Sequence, residues 1–209
     1  MEKFRKIFFR AIFFYLILLL FVYFAVDHRK VASHSWPKTL SRLRVEYTYL
    51  ISISNGELPD QASLVDGMRY FNAIARIFGP RPDTDALKGM SLYFLGNHQG
   101  ARASFLKLSK DAPGFFWGYY NLALLSYMEK DLSAMEQFCK QAFESPVDKS
   151  LAFMMTSKLY QPFFIENQFT PQVLAQNMQR GKAVLLQLLL SAKSGAASIP
   201  AAQLPVRVF

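Results

Sequence analysis

The chain is poor in the residues from which catalytic and metal sites are built. It has one cysteine, Cys139, and three histidines, His28, His34 and His98, among 209 residues. A lone cysteine excludes an intrachain disulfide framework and any cysteine-rich zinc site. No HExxH, CxxC or phosphate-loop sequence occurs, so zinc-protease, thiol-redox and nucleotide-phosphate chemistry have no anchor. His28 and His34 are too few to close a metal shell and read as solvated or headgroup-contacting side chains. Acids are scarce as well, 15 against 24 Lys and Arg, for a net charge of +9. That excess is spread out, +4 over residues 1–30 and +5 over the rest. A nucleic-acid-binding face gathers its Lys and Arg together, so nucleic acid is not an expected partner. Strand signals are missing too: there is no sustained apolar/polar alternation, and Asn55-Gly56 follows a helix-like stretch. The reading is no catalytic, cofactor-binding or metal-binding residue, no cofactor, no small-molecule substrate and no enzyme.

What is present begins with an apolar N-terminus. From Ala11 to Val26 sixteen residues carry no charge, and Ile7, Phe8 and Phe9 extend the stretch to twenty when Arg10 snorkels outward. Twenty helical residues reach about 30 Å, the hydrocarbon thickness of a bilayer. Tyr23-Phe24-Ala25-Val26 lacks the small residues of a signal-peptide cleavage site. Residues 7–26 therefore predict an uncleaved transmembrane helix in a lipid bilayer. Lys3, Arg5, Lys6 and Arg10 before it favour a cytoplasmic head, with the body on the periplasmic side of an inner membrane, while Arg29, Lys30, Lys38, Arg42 and Arg44 after it favour the reverse.

Beyond it the pattern is helix, turn, helix. Pro37 opens a stretch to about Ser54, and NGELPD breaks it. Leu64, Met68, Phe71, Ile74, Ala75 and Phe78 share the face of a second helix, stopped by GPRPD. Helices follow over about 84–95, 98–111, 114–128 and 131–145, then a pair over about 148–163 and 170–192. Connections of a few residues make consecutive helices antiparallel. The division is a head and anchor over 1–30, a linker over 31–37, a helical domain over 38–192, and a flexible or extended tail over 193–209.

The helices repeat. Ala101, Phe105 and Pro113 return 33 residues later as Ala134, Phe138 and Pro146, while Gly89 returns as Ala123 and Tyr93 as Tyr127 after 34. The one-residue difference reads as a deletion in the turn, where GNHQGA becomes KDLSA. These periods, with a small residue four before an aromatic in the second helix and a closing proline, resemble the tetratricopeptide repeat over about 83–146. The resemblance implies that Gly89, Ala101, Phe105 and Pro113, and likewise Ala123, Ala134, Phe138 and Pro146, fill the close-packing, aromatic and terminating slots. It implies an all-α fold, an N-terminal transmembrane helix followed by a short helical-hairpin solenoid with degenerate flanking units. It also implies protein partners.

Three stretches could carry more. Gly96-Asn97-His98-Gln99-Gly100 looks like a phosphate loop, but no strand precedes it, and it reads as a turn between two helices of one unit. Asp83-Thr84-Asp85 could hold a metal, but it sits where acids cap a helix start. Phe115, Phe116, Trp117, Tyr119 and Tyr120 cover all sides of a helix, either as core or as a groove for a partner, and they are the candidate partner surface. Ala183–Leu190, AVLLQLLL, is too short to span a bilayer and reads as a buried capping helix or a contact surface. The function these features imply is a membrane-anchored scaffold or assembly subunit, such as one in a bacterial envelope machine for secretion, pili or conjugation. The alternative is an accessory subunit of a respiratory or transport complex that packs through its anchor.

Overall fold

Proline and short polar side chains set the helix starts. Pro82 and Pro171 occupy first-turn positions where a missing N–H costs nothing. Asn97, Asp131 and Thr170 each accept a hydrogen bond from a backbone N–H three residues on, satisfying a donor the helix cannot. The computed structural model describes residues 61–78, 81–157, 160–166 and 168–195. They form eight helices and no strand: α1 (Gln61–Phe78), α2 (Pro82–Phe94), α3 (His98–Asp111), α4 (Phe116–Met128), α5 (Leu132–Glu144), α6 (Val147–Thr156), α7 (Tyr160–Glu166) and α8 (Pro171–Ser194). The chain divides into units over 1–43 and 44–209, and every described residue belongs to the second.

The all-α expectation holds for these residues, and the expected transmembrane helix is corrected. No helix among the described residues is long and apolar enough to cross a membrane. The segment 7–26 lies outside them, as do the linker, the helix read from Pro37 to Ser54, His28, His34 and residues 196–209. Two boundaries also move. The helix expected over 148–163 is two, α6 and α7, parted at Ser157, whose backbone is extended (φ −65°, ψ 120°). The last helix runs on to Ser194, where Gly195 closes it in the left-handed region at φ 66°.

Two antiparallel hairpins form the centre: α2 packs on α3, α4 on α5, and α3 on α4, with α1 against α2. Leu64 and Phe71 of α1 are buried there. α4 is the innermost helix. Phe116, Trp117 and Tyr120 are fully covered, as is the run from Asn121 to Ser126 to within 1%. A helix apolar on every side needs neighbours on every side, and α3, α5 and α8 supply them. The full burial of a Leu or Phe contributes about 1.5–3 kcal/mol, so this helix anchors the fold.

The hairpins share one register. Gly96 and Lys130, 34 apart, both end a first helix with positive φ, 77° and 58°. Asn97 and Asp131, again 34 apart, then cap the second helix by accepting from Gly100 N and Ala134 N, each at 2.9 Å. The buried stripe of α3 is Ala101, Phe105 and Leu108, and that of α5 is Met135, Cys139 and Ala142, also offset by 34.

Candidate interaction surface

This register corrects the assignment of repeat residues in the second hairpin. Ala134 and Phe138 are half-buried beside the stripe, and the equivalents of Ala101 and Phe105 are Met135 and Cys139. The missing residue belongs to the end of α5 and its exit, not to the turn. α3 continues into a four-residue connection, Ala112 to Phe115, whereas Ser145-Pro146 alone joins α5 to α6. Pro113 and Pro146 are exposed, Pro113 in a turn and Pro146 as the cap of α6. In the first hairpin the expected close packing is present. A Cβ added to Gly89 would lie 2.7 Å from Phe105 Cε1, so the fully buried ring has room only because residue 89 has no side chain.

The turn 96–100 is structural. Gly96 meets nothing within 4 Å and is needed for its φ of 77°. Gly100 is needed for a different reason than helix approach: a Cβ there would press on the capping Asn97 side chain at 2.9 Å. The His98 ring packs on Tyr93 with centroids 5.4 Å apart, and its Nδ1 is buried without a hydrogen-bond partner. Nothing in this geometry gathers N–H groups around an anion.

The aspartates of Asp83-Thr84-Asp85 serve separate partners. Arg81 donates to both Asp83 oxygens, Nε to Oδ1 at 3.1 Å and Nη2 to Oδ2 at 2.6 Å. Thr84 N donates to Oδ1 at 2.9 Å, and Ser157 Oγ, 74 residues on, donates to Oδ2 at 2.7 Å. Tyr160 OH donates to the Asp83 carbonyl at 3.2 Å. A buried carboxylate with a guanidinium and two further donors is satisfied in place. It clasps the start of α2 to the α6–α7 junction. Asp85 instead pairs with Lys107 of α3. Among the described residues no three His, Cys, Asp or Glu side chains group to hold a metal.

Of the five aromatics left open between core and a partner groove, four are core. Phe115 is 2% exposed, and Phe116, Trp117 and Tyr120 are 0%; Tyr119 alone is half-buried. Two later segments cover them. Phe115 packs on Phe153 of α6 with ring centroids 4.3 Å apart and planes tilted by 44°, and Ser150 Oγ accepts from Phe116 N at 2.9 Å. α8 crosses at Gly181, where a Cβ would stand 2.9 Å from Phe116 Cε1 and 3.2 Å from Trp117 Cζ3. Trp117 Nε1 is left buried without a partner. The cluster is core, because the chain returns to cover it.

Cys139 is also sealed. Burial, with the Glu136 charge adding to it, pushes its thiol from 9.0 up to about 11, so the nucleophilic thiolate is suppressed. Burial raises the Tyr93 phenol as well.

The open apolar positions are elsewhere. Leu106, Leu132 and Ile165 are exposed singly on α3, α5 and α7, and scattered residues of this kind are ordinary. AVLLQLLL divides by face: Leu185 and Leu188 are buried, while Leu186 and Leu190, one turn apart, are 50% and 59% exposed. Sequence reasoning singled out the stretch but not which leucines face outward.

Comparison with known proteins identifies no relative: no family model matches the chain, and no curated protein or solved structure is similar to it.

Proposed function

We propose that the chain is a tetratricopeptide-like scaffold, a protein-binding subunit of a multiprotein complex. The observation that carries this reading is the shared register of the two hairpins. Turn, cap and buried stripe all recur at 34 residues, and short stacked hairpins of this kind act by presenting surface. The close approach of Gly89 to Phe105 supports it further. The second hairpin departs from the family pattern at Met135 and Cys139, and keeps small residues at Ala123 and Ala142. The side chains that resemble chemistry, Asp83 and Cys139, are held in a clasp and a core respectively, so the reading is binding and not catalysis.

The test is crosslinking of the tagged full-length chain in the cells that produce it, followed by gentle purification. The expected result is an assembly well above 23.9 kDa, with crosslinks from exposed residues of 82–194 to a different protein. A chain that purifies at its own mass, with no crosslink to another protein from that region, removes the reading.

A further inference from the structure

We draw no further inference here: the strongest candidate, the exposed apolar patch of Leu186 and Leu190 on α8, carries none because nothing in the structure shows what covers it.

Discussion

The space that Gly89 and Phe105 share in the first hairpin belongs, at the same register, to Ala123 and Cys139 in the second. Where the first helix gives up its side chain entirely, the second helix supplies a ring. Where it keeps a methyl, the partner shrinks to a thiol; Phe105, Ala123 and Cys139 are buried to within 1%, and Gly89 is buried too. Side-chain volume is traded between the two positions, small against large in one hairpin and intermediate against intermediate in the other. The helix starts differ as well. Asp83 and Trp117 are equivalent by the 34-residue register, so one hairpin opens on a charged clasp and the other on a buried indole.

The largest break in this comparison comes from Phe105→Ala, which leaves a cavity of ring size and should cost about 3–5 kcal/mol by urea unfolding. Gly89→Ala alone should cost about 1–3 kcal/mol by overpacking. Installing the second hairpin's pair, Gly89→Ala with Phe105→Cys, should be less harmful than the sum of the single changes by about 0.5–3 kcal/mol. Strict additivity would separate the two residues. Next in size is Asp83→Ala, which strips Arg81 and Ser157 of their acceptor and should cost about 1.5–3 kcal/mol. No such loss should follow at Tyr119, half-buried on the other hairpin.

Gly181→Ala sharpens the comparison at Trp117. It forces α8 from Phe116 and should cost about 1–3 kcal/mol, with a change in tryptophan fluorescence that Ala183→Ser does not produce. The feature the hairpins hold in common should respond alike. Asn97→Ala and Asp131→Ala should each lower stability by about 1 kcal/mol, and a large inequality would break the shared turn.

A last effect separates the hairpins by pH. The Cys139 thiol is raised from 9.0 to about 11 by burial and then by Glu136, so the folded state favours the neutral form. Its contribution is complete below pH 9 and is lost as pH rises through about 11. The urea midpoint should fall across that window, and Cys139→Ala should reduce the fall. Burial of Tyr93, raised in the same direction, leaves a remainder.

Much of this fold was legible. Apolar spacing and the short turns between apolar runs mark helices that the structure places within two residues of their expected starts. The register was legible only in part. Ala134, Phe138 and Pro146 happen to match the first hairpin at 33, whereas the cap and buried stripe run at 34. One-residue shifts of this kind are decided by which side chains lose water, and composition does not report that. The aromatic cluster was visible as a helix apolar on every side. Its covering was not, because α8 returns from 64 residues beyond Trp117 to place Gly181 there, and a glycine in a helix carries no signal of what it must approach. Ser157 gave no sign of its partner Asp83 for the same reason: their meeting is a property of the whole path.

That meeting changes how the molecule comes apart. A simple stack of hairpins frays from its ends, because each layer is held only by its neighbours. Here the start of α2 is tied by Ser157 and Tyr160 to a segment 74–77 residues away. Between those ties the same segment holds the start of α4 through Ser150. Opening either hairpin therefore releases the other, and hydrogen exchange in α2 and α4 should report one common opening in place of a gradient along the chain. The clasp turns a row of repeats into a single cooperative unit, with a slower and more concerted folding reaction than its local contacts alone would set.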